Sequence, residues 1–234
     1  MSVQPSVSVV VSVHDCTSTI KESIQHILSA GLDAEIIVVD DGSVDGGVAG
    51  YVRSLNNPAV MCFRNASPRG RGAAMRLGFA AARRPFIIVI APDAALACDP
   101  SAYRMMLEPL VEGRADMVVE ADDGTTKATS AYTGYPRIER IMARGAEAFG
   151  CIMRNAGANR IMAFRRDRLM ALNLSSNGGA ALASEIMTRA ARGRWRIASV
   201  ALPQPPGVTT PSESKPWRDA LAGACALVYF RFMD

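Results

Sequence analysis

The segment Glu35-Ile36-Ile37-Val38-Val39-Asp40-Asp41-Gly42-Ser43-Val44-Asp45-Gly46-Gly47 constrains this chain more than any other. Its β-branched run asks for a sheet covered on both faces, while Asp40, Asp41, Ser43 and Asp45 cannot follow that run inside unpaired. The polar residues therefore gather at the strand's C-terminal edge, where glycine allows a sharp turn. In open parallel α/β sheets ligands sit at that edge, and carboxylates there suit the N–H edge of a base, ribose hydroxyls or a cation. The same residue types also serve a plainer purpose, since Asp and Gly make turns and cap helices.

The rest of the chain alternates strand with helix. A β-branched run at 7–13 is followed by apolar residues at helical spacing (Ile20, Ile24, Ile27 and Leu28), which gives a first βα unit over 7–28. Further strands are expected at 35–40, 60–63, 85–90 and 116–120, with helices at 47–55, 70–83 and 101–112 and a loop at 92–100. Each crossover is long enough for a right-handed parallel connection. After residue 120 strict alternation stops: a polar loop to about 130, a helix at 135–154, a strand at 159–165, a helix at 180–192 and a strand at 195–202. Four prolines within 203–211 remove backbone donors and rule out regular structure there, and an apolar helix at 217–232 closes the chain. The fold class is α/β, a mostly parallel central sheet flanked by helices.

With 234 residues, 49% of them hydrophobic, the chain fills one large α/β domain, and disorder is excluded for most of it. The net charge of +4 comes from arginines spread over several helices, which fits a phosphate-bearing ligand or an anionic surface. The sequence shows no aromatic-plus-basic nucleic-acid module, so no nucleic-acid partner is expected. Cys16, Cys62, Cys98, Cys151 and Cys225 are odd in number and form no C-x-x-C pair, which argues against a disulfide scaffold or a zinc ribbon and for a reducing compartment. The start of the chain has no basic leader, and no apolar run reaches the roughly 18–20 residues that span a bilayer. A cytoplasmic location follows as the expectation.

Four blocks in the first half resemble family-2 glycosyltransferases with the GT-A fold. Val9 to Asp15 is similar to the opening strand, Val38 to Gly46 nearly matches the family's Asp-Asp-Gly-Ser-x-Asp-Gly loop, and Gly70, Gly72, Ala74, Gly78 and Ala81 fall at the glycine and alanine positions of its third helix. The fourth block, Phe86 to Pro100, resembles the strand that carries Asp-x-Asp, with Asp93 ending it. The resemblance implies a donor half over 1–120 and an acceptor half over 121–234 within one continuous domain. It implies a nucleoside diphosphate sugar as donor, with Asp40 or Asp41 accepting from the base, Ser43, His14 and the main chain after Val11 framing it, and Arg71 near the diphosphate. In the family the second Asp-x-Asp carboxylate binds Mg²⁺ or Mn²⁺; this chain reads Asp93-Ala94-Ala95, leaving Asp93 as the one candidate metal ligand and putting metal use in doubt. His14, Asp15 and Cys16 stand where the family has Tyr-Asn-Glu.

The second half resembles, more loosely, polyprenyl-phosphate sugar transferases related to dolichyl-phosphate mannose synthase. Asp116 to Val119, Arg160 to Arg166 and Ser212 to Lys215 carry that likeness, the last implying that Lys215 touches donor phosphates. Glu185 stands where inverting relatives place an acidic residue near the acceptor; it reads either as a general base for an acceptor hydroxyl or as a first-turn glutamate favoured by the helix dipole. A polyprenyl-phosphate acceptor needs no base, because it is already ionised. The closing helix, beside Lys215, Arg218 and Arg231, either covers the sheet or makes a peripheral membrane contact. The resemblance thus implies a sugar transfer in envelope or glycoconjugate synthesis; the alternative is a silent GT-A-like binding or regulatory protein that has lost the metal site.

Overall fold

The computed structural model describes residues 5–44, 46–120 and 161–203. Among them, seven strands form one mixed sheet in the order β3-β2-β1-β4-β6-β5-β7. β1 (Val7–Val13) lies inside it, parallel to β2 (Ala34–Asp40) on one side and to β4 (Phe86–Ile90), the central strand, on the other. All seven residues of β1 are buried, as an unbroken β-branched run requires of a strand covered on both faces. β3 (Val60–Arg64) forms the edge beside β2. Strands from the second half continue the same sheet: β6 (Ile161–Arg165) runs antiparallel between β4 and β5 (Met117–Glu120), and β7 (Ile197–Val200) lies parallel to β5.

Alternation along β1 divides the interior in two. Val7, Val9, Val11 and Val13 enter one layer with Ile20, Ile24 and Ile27 of α1 (Thr17–Ser29), Val48 and Val52 of α2 (Gly47–Ser54), and Tyr103, Met106 and Leu107 of α5 (Ser101–Val111). Val10 points the other way, into a layer with Ala74, Met75 and Phe79 of α3 (Arg71–Ala81) and Leu182, Ile186 and Ala190 of a long helix over Gly179–Arg192. Phe79 meets Phe164 edge to face, ring centroids 6.4 Å apart.

Two short helices depart from the sequence reading. Instead of a loop over 92–100, α4 occupies Pro92–Ala97, and the strand expected to end at Asp93 stops at Ile90. Proline explains both, because Pro92 has no N–H for the ladder and its fixed φ suits the first helical position. The second is α6 (Arg166–Met170), which follows β6 directly; the helix over Gly179–Arg192 is therefore α7. α1 holds the new α4 from outside: the Ser23 hydroxyl lies 2.7 Å from the Pro92 carbonyl, and His26 Nε2 donates to the Cys98 carbonyl at 2.9 Å. The helices expected at 135–154 and 217–232 lie outside the described residues. No described helix is long and apolar enough to cross a membrane.

Candidate functional site

The chain reverses its direction of travel across the sheet between β1 and β4: β2 and β3 are laid down on one side of β1, then β4 on the other. The C-terminal ends of β1 and β4 therefore flank a topological switch point, the place where open α/β sheets form a binding crevice. His14 and Asp15 leave β1 there, the Asp40–Ser43 turn leaves β2, and Asp93 follows β4.

The carboxylates of the turn go inside, against the expectation that they stay at the rim, and they do so paired. Asp40 is 0% exposed; its Oδ1 accepts from the Ser43 amide at 2.9 Å and the Ser43 hydroxyl at 2.5 Å, and its Oδ2 faces Arg64 Nε at 3.7 Å. Asp41 is 5% exposed and ties the turn to the loop before α3: Oδ1 accepts from Asn65 Nδ2 at 2.7 Å and the Arg69 amide at 3.0 Å, and Oδ2 from the Gly70 amide at 2.8 Å. Burial alone raises the Asp41 pKa, but these donors and the nearby His14 outweigh it and hold the carboxyl below its ordinary value. A carboxylate offers about four lone-pair sites, so one on Oδ2 remains for a further donor. Gly42, with φ of +74°, makes the turn; a Cβ there would lie 2.7 Å from the Pro68 nitrogen.

The remaining residues expected at the site divide. His14 is half-exposed, donates from Nδ1 to the Asp41 carbonyl at 3.0 Å and places Nε2 3.4 Å from Asp15. Asp15 in turn receives the Val44 amide at 2.9 Å, and its own amide donates to Ser43 Oγ at 3.0 Å, so the ends of β1 and β2 are sewn together. Val11 lies inside the ladder, paired with Val38 and Ile90, and the first open main chain comes after Val13. Arg71 opens α3 with its side chain against Gly179. Lys215 lies outside the described residues, as do the Ser212–Lys215 loop and Arg160. Glu185 stands apart from this group, fully buried in α7, with both oxygens engaged by the main chain of the preceding loop.

Sequence reasoning missed two contributors. Arg64 ends β3 opposite Asp40 in register and donates to the Ser43 carbonyl at 2.6 Å; a cation ending an edge strand next to the aspartate strand was the available signal. The loop 171–178 before α7 was the other, and its Ser175-Ser176-Asn177-Gly178-Gly179 composition marks a tight turn into a helix.

A divalent cation of the kind the fold family uses wants about six oxygens. Among the described residues no three metal-ligating side chains come together, and Asp93, exposed in the first turn of α4, is the one carboxylate of that helix. Ala95 is 0% exposed within the core layer, where a carboxylate would be buried without a partner. The described residues do not fit a metal cage.

Residues 8–171 match the model of glycosyl transferase family 2. No curated protein matches. Among solved structures, mannosyl-3-phosphoglycerate synthase from Rubrobacter xylanophilus is similar at 20% identity over 98% of this chain and 75% of that one, with a TM-score of 0.69. Mannosyltransferase PcManGT from Pyrobaculum calidifontis, in complex with GDP-Man and Mn²⁺, shares 18% identity over 98% of this chain and 74% of its own (TM-score 0.59). Glucosyl-3-phosphoglycerate synthase from Mycobacterium tuberculosis, with Mn²⁺, UDP-glucose and phosphoglyceric acid, shares 17% identity over 97% and 79% (TM-score 0.64). These likenesses show the GT-A fold.

Proposed function

The chain belongs to glycosyl transferase family 2, and from that premise we propose that it transfers a sugar from a nucleoside diphosphate sugar to a polyprenyl phosphate or hydroxyl acceptor, with inversion at the anomeric carbon. One observation carries the reading: the Asp40–Ser43 turn lies beside the switch point, and Asp41 keeps one lone-pair site on Oδ2 after its three loop bonds. An N–H on the edge of the base fills that site. His14, Ser43 and the main chain beyond Val13 frame base and ribose, and the diphosphate extends toward Asp93, with Arg71 and Lys215 as the cations that meet it. The acceptor oxygen attacks the anomeric carbon from the face opposite the diphosphate, the bond to the diphosphate oxygen breaks, and the configuration inverts.

A hydroxyl acceptor needs a base, whereas a phosphate acceptor is already ionised. Glu185 has no exposure and no oxygen to spare, which favours the phosphate class. The setting we propose is the cytoplasmic side of a membrane during envelope or glycoconjugate synthesis. A second reading, a silent binder of nucleotide sugars, draws on the buried Ala95 in place of a carboxylate.

A thermal-shift panel of UDP-, GDP- and dTDP-sugars, each with and without Mn²⁺, followed by a nucleotide-release assay with a short polyprenyl phosphate, tests both readings. A donor at a hundred times its Kd stabilises by about 2.7 kcal/mol. A shift with acceptor-dependent release supports transfer, a shift without release supports the silent binder, and no shift with any donor defeats both.

A further inference from the structure

Glu185 carries more contacts than a helix-dipole glutamate needs. It sits in the second turn of α7 at 0% exposure, and its Oε1 accepts from the Ser175 amide at 2.9 Å and the Ser175 hydroxyl at 3.1 Å. Oε2 accepts from the Ser176 amide at 2.8 Å, and Arg189, one helical turn on, approaches Oε1 to 3.2 Å. The Ser175 amide is shared with Oε2 at 3.1 Å, so both oxygens are engaged, and at 0% exposure no acceptor hydroxyl reaches this carboxylate.

The far side of the same loop is fastened to α3. The Ala73 amide donates to the Asn177 carbonyl at 3.1 Å, and Arg76 donates to the Leu174 carbonyl at 3.0 Å and to Asn177 Oδ1 at 2.6 Å. The approach is close enough to need glycine: a Cβ on Gly72 would lie 2.5 Å from the Gly178 carbonyl oxygen. Immediately before this contact come the Arg69 and Gly70 amides held by Asp41. Hydrogen bonds joined by short stretches of main chain thus link Glu185 through the loop to the start of α3 and on to Asp41.

We infer that Glu185 is a positioning residue for the donor site, acting through the 171–178 loop to fix the α3 entrance that Asp41 grips. The inference rests on the donor-site reading above. It makes Glu185 a determinant of donor affinity without any contact to donor.

The test compares wild type, Glu185→Ala, Glu185→Gln and Arg76→Ala, the last removing the two side-chain bonds to the loop at a helical position where alanine is favoured. In the ligand-free proteins, amide hydrogen exchange at Ser176, Ala73 and Gly70 is read against a sheet amide such as that of Val10. Glu185→Ala and Arg76→Ala should speed exchange at Ala73 and Gly70 while Val10 keeps its protection. Titration with UDP-glucose and GDP-mannose should show affinity weakened roughly tenfold in Glu185→Ala, the factor that losing one charge-assisted hydrogen bond represents. Glu185→Gln, which keeps a carbonyl for the loop amides, should recover most of that affinity and leave the pH profile of turnover unchanged. Collapse of turnover in Glu185→Gln at unchanged donor affinity, with loss of the acidic limb, would overturn the inference in favour of a general base. Unchanged exchange at Ala73 and Gly70 in both alanine variants would overturn it as well. If wild type binds neither sugar nucleotide, the donor-site reading fails for those donors, and the exchange data alone still decide whether Glu185 holds the α3 entrance.

Discussion

At Asp41 one carboxylate does two jobs that substitution separates. Its charge stabilises three loop donors, and in the proposed site its spare lone pair accepts from the base. Asparagine keeps one carbonyl oxygen but turns an N–H₂ toward donors that need an acceptor, so Asp41→Asn should weaken donor affinity by roughly tenfold or more. Isothermal titration measures this, and Asp93→Asn should weaken binding less, since Asp93 is exposed; unchanged affinity in both variants would sink the proposed site. Cysteine chemistry gives a second probe at the same edge. Cys16 is exposed beside His14 and Asp15, whereas burial first and the neighbouring Asp40 second push the Cys62 thiol up to about 11. At neutral pH a maleimide should therefore modify Cys16 well before Cys62 or the buried Cys98, and peptide mapping after brief labelling checks the order. Labelling at Cys16 should be slowed by a bound donor; equal rates with and without saturating donor would place the donor elsewhere.

Elements were legible where a physical pattern repeats along the chain. β1, β2 and β4 declared themselves through β-branched runs that only a doubly covered sheet accommodates, and α1 through Ile20, Ile24 and Ile27 on one stripe. α4 and α6 did not, because helices of six and five residues are too short to show a period. The Asp40–Ser43 turn was readable from its Asp-Asp-Gly-Ser composition, but its pairing was not: Arg64, Asn65 and the Arg69 and Gly70 amides reach it from elsewhere in the chain, and such contacts leave no local signature. Two glycines illustrate the difference between propensity and packing. Gly50 lies within α2 with open space around its missing Cβ, so Gly50→Ala should raise stability by about 0.5–1 kcal/mol. Gly72, the second residue of α3, lies against the Gly178 carbonyl, so the same change there should cost about 1–3 kcal/mol despite better helix propensity. Urea midpoints at constant m-value give both numbers, and a stabilising Gly72→Ala would show that the loop yields freely.

For the whole molecule, the informative junction lies at the N-terminal end of β5, at the opposite edge of the sheet from the Asp40–Ser43 turn. The sequence reading places a division of labour near residue 120 within one continuous domain; it does not show that β6 pairs between β4 and β5, because sheet order of this kind is set by long-range packing that no window of sequence contains. Asp116 secures the return. It is nearly buried, accepts the Arg196 amide at 3.0 Å and the Arg196 guanidinium at 2.9 and 3.1 Å, and lies 3.6 Å from Arg168 Nε, so one carboxylate joins β5, β7 and α6. The Arg196 side chain is the main reason its pKa is lowered; burial opposes the shift, and the Arg196 amide and charge and Arg168 reinforce it. A carboxyl whose folded value is depressed binds its proton less tightly in the native state than in the unfolded chain, where the ordinary value is about 3.9. Its stabilisation is therefore complete above that value and is lost as pH falls through the lower folded one. Asp116→Asn should be destabilised at pH 7, and its deficit against wild type should shrink steadily below about pH 4 as the wild-type carboxyl protonates and the two side chains become alike in charge. Urea unfolding at pH 7 and pH 3 measures the two gaps. A deficit of the same size at both would mean that Asp116 holds the returning strands through shape and hydrogen-bond number alone, and that the charge contributes nothing to closing the sheet.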